Sequence, residues 1–296
     1  METVGARKLW SFRDGESEIQ PDMSNKLIAR SNGHEVKSYH ELAKSVAELQ
    51  FRNPDYILFF RGQREDYKSQ RDGRSTIRPG IFRAPEGYKI ASENLVRKRY
   101  ERLKTYEEML VKSYERSTFP GKQKVRRQRL LRWSLLQHYE ACKTPLLDVT
   151  QSLRIGASFA SIGNRSSEAF LMILAVPQLS GGITSSAEAG IQVVRLSSAC
   201  PPSALRPHVQ EGYLLGEYPE VAAAIETADV RFYELDFSQR LIAKLRFDPS
   251  PGNFWRQDSY PKVEESDLIP DMTSDPFAQF IENLKQEAPF DIHGDH

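Results

Sequence analysis

Five consecutive apolar residues, Tyr56-Ile57-Leu58-Phe59-Phe60, lie between the turn-forming Asn53-Pro54-Asp55 and the pair Arg61-Gly62. The run is too short for a free-standing buried helix and is rich in aromatic and branched side chains, so it predicts a strand inside a sheet. Arg61 leaves the end of that strand, and a guanidinium at a sheet rim suits the bidentate grip of a phosphate or carboxylate. Gly62 would let a ligand or another segment approach the backbone. An internal ion pair is the structural alternative for Arg61, while Arg64, Arg71 and Arg74 read as solvated surface.

Around this strand the periodicity predicts mostly helices in the first half. Ser38 and Glu41 form a capping box ahead of Leu42, Val46 and Leu49, a short helix stopped at Asn53-Pro54. Val96, Tyr100, Leu103 and Leu110 predict a long amphipathic helix over 92–114. A second helix is expected over 123–139 with His138 in its last turn, and a third over 152–160. The second half is expected to hold strands at 169–176, 191–196 and 230–237, with helices at 221–227, 239–245 and 275–287. This predicts an α+β fold, helices of the first half packed on a mixed or antiparallel sheet. Residues 1–36, polar and without sustained periodicity, read as an irregular N-terminal arm, 37–287 as the main domain and 288–296 as a tail.

The chain has 296 residues, with 41 Lys plus Arg against 40 Asp plus Glu. The near-zero net charge gives no whole-molecule field toward nucleic acid or an anionic membrane, so any anion binding must be local. No apolar run approaches a membrane span and the start lacks a secretory pattern, so a cytoplasmic protein is expected. Cys142 and Cys200 read as structural thiols, and no metal is expected.

The other candidate segment runs from His138 to Thr150. His138 closes a helix, and Asp148 and Thr150, two apart on an extended stretch, would share one face. Each has a capping explanation singly, but a His, two Thr (Thr144, Thr150) and an Asp around one turn exceed what capping needs.

Phe60-Arg61-Gly62-Gln63, Tyr67, Arg78-Pro79-Gly80-Ile81-Phe82-Arg83, Trp133, Gln137-His138-Tyr139 and Thr144-Pro145-Leu146-Leu147-Asp148-Val149-Thr150 occur in that order. Together they resemble the FRG domain family, with weaker similarity extending to Gln210-Glu211-Gly212-Tyr213 and Leu268-Ile269-Pro270-Asp271, so roughly residues 38 to 285. The chain departs from the family pattern at Glu140, where Gly is usual, at Pro145, where Arg is common, and at Val149, where Trp or Phe is common.

The order of an aromatic-Arg-Gly strand end, a Ser/Thr-bearing middle segment and a late carboxylate is also similar to ADP-ribosyltransferases of the Arg-Ser-Glu type. This likeness implies an ADP-ribosyltransferase-like fold with NAD as co-substrate. Arg61 would hold the diphosphate or nicotinamide ribose, Gly62 would admit a backbone contact to the nicotinamide amide, and Thr144 and Thr150 would complete the binding site. The likeness further implies a carboxylate that steadies oxocarbenium-like charge. Glu211 is the first choice and Glu234 the reserve, with His138 and Asp148 as general acid–base groups in a second version. A different class of function is a non-catalytic module for nucleic acid or a protein partner. The basic stretch Lys122, Lys124, Arg126, Arg127, Arg129 and Arg132 would be its surface, and the same region is the expected docking site for an acceptor.

Overall fold

The computed structural model describes residues 8–219, 235–250, 252–255 and 260–290. The strand expected at Tyr56 is β4, Tyr56–Gln63, which runs three residues further than the apolar core and so carries Arg61 and Gly62 within the sheet. Its long neighbour is β6, Ala169–Pro177, whose first eight residues are all buried. An unbroken apolar run of this kind is what a strand covered on both faces requires. The two are antiparallel, with Phe60 opposite Ile173 and Arg61 opposite Met172.

Six more strands complete this sheet: β3 (His34–Glu35), β5 (Leu147–Thr150), β7 (Ile183–Ser186), β8 (Ile191–Arg195), β9 (Gly212–Glu217) and β10 (Leu241–Phe247). The order is β3-β10-β6-β4-β5-β9-β8-β7. Among the described residues only the β3–β10 pairing is parallel, so the sheet is mixed and dominantly antiparallel. With helices beside it the fold is α+β, as expected, and its strands come from both halves of the chain.

The helices follow their caps. Ser38 accepts from the Glu41 amide at the start of α2, Tyr39–Arg52, and Glu41 accepts from the Lys37 amide. Ser92 opens α3, Glu93–Arg116, and Asp275 opens a final helix, Pro276–Gln286, by accepting from Phe277 and Ala278. A small-residue helix, Leu153–Ser161, follows β5 and packs across β4, β5 and β6. A short turn of helix, Arg206–Val209, precedes β9.

Three expectations on local structure are corrected. The helix expected over 123–139 is two, Lys122–Arg127 and Arg129–His138, broken at Gln128. The guanidinium of Arg132 holds the break by donating to the carbonyls of Val125 and Arg126 at 2.9 and 3.0 Å, which satisfies the end of the first helix. The helix expected over 239–245 is β10. A short apolar run fits either period, and pairing with β6 and β3 decides for a strand. The arm is not irregular over residues 8–36: strands β1 (Leu9–Phe12) and β2 (Ile19–Met23) form a hairpin, followed by the helix α1 (Asn25–Arg30). Leu9, Phe12, Ile19, Met23 and Ile28 are buried in the main core, and burial on β10 outweighs the weak local signal. The expected elements at 221–227 and most of 230–237 lie outside the described residues, as does Glu234.

Candidate functional site

Sheet order brings the sequence segments together. Phe60 of β4 pairs with Thr150 of β5, and Thr150 pairs with Gly212 of β9. Arg61, Asp148 and the Gln210–Tyr213 stretch therefore meet at one end of three adjacent strands. They line a cleft of about 1550 Å³, bordered at its mouth by the loops at 64–76 and 83–90.

Arg61 reaches across the strands and donates from Nη1 to the main-chain oxygen of Asp148 at 2.5 Å, while its buried Nε has no partner. Burial, with the charge of Arg83, pushes its pKa down to about 10, against the pull of Asp148 and Tyr67. An anion in the cleft would relieve both effects.

Asp148 is the centre of the polar floor. Oδ2 accepts from Gln137 Nε2 at 2.7 Å, and Oδ1 lies 3.5 Å from His138 Nδ1. Burial would raise its pKa, but the His138 and Gln137 contacts and the charge of Arg61 outweigh that and hold the carboxyl below the usual range. Its side chain keeps 40% of its exposure, and His138 only 3%. His138 Nε2 is buried and unpartnered, with the ring edge against Gly212, where an added Cβ would stand 3.2 Å from Cε1. Both residues line the cleft, Asp148 offering it a half-open carboxylate and His138 holding that carboxylate from behind.

The remaining candidates separate. Thr144 is fully buried and does not line the cleft. Its hydroxyl donates to Gln137 Oε1 at 2.7 Å and accepts from the Leu146 amide, so the Gln137 amide is turned with its nitrogen toward Asp148. Thr150 lines the cleft, but its hydroxyl is taken: it donates to the carbonyls of Gln210 or Glu211 and accepts from the Ser152 amide. Gly62 is spoken for by packing. A Cβ there would stand 2.0 Å from the carbonyl oxygen of Gly156 and 2.6 Å from the amide nitrogen of Ala160, so the missing side chain admits the helix 153–161, while Gly62 also lines the cleft. Glu211 is exposed, sits in a left-handed turn at φ 44° and is not among the lining residues; its carbonyl, not its carboxylate, meets the site.

Eight Lys and Arg residues line the cleft against two carboxylates, Glu140 and Asp148, among the described residues. In a chain of net charge +1 this is a strong local concentration. Arg206 was not singled out in the sequence. It enters from the turn before β9 and bonds Glu140 at 2.7 Å, and its place is fixed by Asp275, which accepts from the Leu205 and Arg206 amides and from the Tyr139 hydroxyl. Nothing short-range marks position 206, whereas Gln137 sits beside His138 and was open to notice. In the basic stretch 122–132, Arg132 and Arg129 are drawn to Glu107 at 2.9 and 3.5 Å, which leaves exposed cations on the helix Lys122–Arg127 alone. Among the described residues no His, Cys, Asp and Glu group has metal-site geometry, and no helix is long and apolar enough to cross a membrane.

An α+β fold with a cationic cleft at the end of β4, β5 and β9 defines the class of the molecule. Residues 57–169 match the model of the FRG domain, so the chain carries an FRG domain from β4 to the start of β6. The matched stretch holds Arg61, Gly62, His138, Thr144, Asp148 and Thr150, but neither Glu211 nor Arg206. No curated protein and no solved structure matches the chain. At the first family departure, Glu140 occupies φ 54°, a conformation that glycine adopts without strain.

Proposed function

We propose that the cleft binds NAD and that the domain breaks the nicotinamide–ribose bond, passing ADP-ribose to water or to an acceptor. The observation that carries this reading is the lining itself: cations far outnumber carboxylates around a floor where one carboxylate, Asp148, is held ionised and open to the cleft. A diphosphate suits the cations, with Arg61 innermost, and aromatic Tyr213 and Phe159 in the same lining suit flat rings.

In this reading the bond between C1′ and the pyridinium nitrogen breaks with its electron pair going to nicotinamide, which leaves neutral. The positive charge on the ribose faces Asp148, a role that replaces the one expected of Glu211. The incoming hydroxyl or water oxygen bonds to C1′ and its proton passes to Asp148 or to solvent. Gln137, Thr144 and His138 hold that carboxylate in place and act through it.

Purified protein incubated with NAD should release nicotinamide, and NAD should raise its melting temperature. Arg61→Ala and Asp148→Asn should abolish release, while Glu211→Gln, outside the cleft, should retain it. Absence of both release and thermal shift would sink the proposal.

A further inference from the structure

The cleft is larger than a dinucleotide needs: about 1550 Å³, against the roughly 300–1,000 Å³ of ordinary small-molecule pockets. The loops 64–76 and 83–90 line part of it with side chains that differ from the polar floor. Tyr67, Tyr88 and Ile90 line this mouth while 52%, 74% and 61% exposed, and Lys68, Arg71 and Lys89 line it with them. Neither loop contributes a carboxylate to the lining among the described residues; Glu140 and Asp148 come from the turn after His138 and from β5.

The exposed rings stand on anchored backbone. Lys244 Nζ, buried beneath the first loop, bonds Asp66 Oδ2 and Ser75 Oγ, each at 2.8 Å. Thr76 donates its amide to the Tyr67 carbonyl, and Ser69 to that of Arg74, both at 2.7 Å. Arg99, buried in α3, donates to the Arg83 carbonyl at 2.7 Å and fixes the root of the second loop. Lys68 keeps only a 3.7 Å approach to Asp66, and Arg71 is exposed.

We propose that this mouth is a landing site for an unpaired nucleic-acid strand, with bases stacked on Tyr67 and Tyr88 and phosphates on Lys68, Arg71 and Lys89. Exposed rings interleaved with cations are the arrangement that binds single strands with little regard to sequence, because every base offers a π face. A duplex offers the cations its phosphates but keeps its base faces stacked, and an acidic peptide offers nothing to the rings. The binding stands on the mouth alone. That the strand is also the acceptor of ADP-ribose rests on the NAD reading above; a base or sugar nucleophile would then form the bond to C1′ as nicotinamide leaves, its proton passing to Asp148 or solvent.

Fluorescence anisotropy with labelled single strands of about 12 nucleotides, DNA and RNA, tests it against a duplex of the same sequence and against polyglutamate. Single strands should bind best. Tyr67→Ala and Tyr88→Ala should each weaken binding roughly tenfold, and each neutralised cation should flatten the salt dependence by about 0.7 in slope. Both tyrosines are exposed, so a matching melting temperature shows that the fold is retained. Equal binding of duplex or polyglutamate, no strand binding, or no effect of the double tyrosine variant would overturn the proposal. Arg61→Ala separates the two readings: it should remove the NAD thermal shift and leave strand binding. A thermal shift with NAD but no strand binding ends this inference alone.

Discussion

A Cβ on Gly62 would stand 2.0 Å from the carbonyl oxygen of Gly156, so β4 and the helix 153–161 meet at main-chain distance. The fit is mutual: a Cβ on Gly156 would press on Phe60 Cβ and Leu171 Cδ1 at 3.0 Å. The glycine after Arg61 is therefore a packing residue. Gly62→Ala forces backbone apart in the centre of the sheet and should cost about 2–4 kcal/mol in chemical denaturation. A stable, well-folded alanine variant that has lost only ligand binding would return Gly62 to the ligand.

The Asp148 carboxyl is held ionised by its neighbours, which gives its pH dependence a definite sign. Its folded pKa lies below the ordinary value of about 3.9, so its contribution to stability is complete above that value and is lost as the pH falls through the folded pKa. Gln137→Met removes one donor while keeping the bulk. The carboxyl pKa read by NMR should rise, and the gap in stability between wild type and variant should narrow in acid. An unmoved carboxyl resonance would show that Gln137 does not hold it.

Thr144 tests the same relay from behind. Its hydroxyl serves both Gln137 Oε1 and the Leu146 amide in a site closed to water. Thr144→Val leaves those groups unpaired and should cost about 1–3 kcal/mol, whereas Thr144→Ser should recover most of it. In nicotinamide release the valine variant should lose turnover more than affinity for NAD, since Thr144 lies outside the cleft lining.

How much of this was legible depended on the range of the interactions. The strand at Tyr56, the caps at Ser38, Ser92 and Asp275, and the helix ending at His138 are set by neighbours a few residues away, and the sequence carries them openly. The β10 strand and the Leu9 hairpin escape local periodicity because partners far along the chain decide them: β10 pairs with β6 and β3, Ser11 bonds the Ile242 carbonyl and Asn25 that of Leu241. In the site, the meeting of Arg61 with Asp148 was foreseeable from ordered motifs, but the rotation of Glu211 away from the cleft was not. A left-handed turn before Gly212 turned its carboxylate out, and no periodicity reports a single φ.

Lys244 and Asp66 pin the first mouth loop as a buried ion pair. Lys244→Met alone leaves the Asp66 carboxylate without its buried charge partner, with only the half-exposed Lys68 at 3.7 Å in its place, and should destabilise by about 3 kcal/mol, with Asp66→Asn costing less. The double variant should recover part of the loss, because the isolated charge is then gone. Additive losses in denaturation would mean that the two side chains act independently.

Glu140 and Arg206 couple backbone strain to the charge of the cleft. Glu140 holds φ 54°, a region costing a non-glycine residue about 1 kcal/mol, and its side chain is 73% exposed while that of Arg206 is 15%. An ion pair so open to water contributes about 0–1 kcal/mol, too little to outweigh the strain by much. Glu140→Gly removes both. Stability should change by less than about 1 kcal/mol, and Arg206, still anchored through its amide to Asp275, should turn its full charge on the cleft. NAD and inorganic pyrophosphate should then bind several-fold more tightly in calorimetry, with the gain abolished by Arg206→Gln. Unchanged affinity in the glycine variant would place Arg206 outside the anion site and assign its pairing with Glu140 to the fold alone.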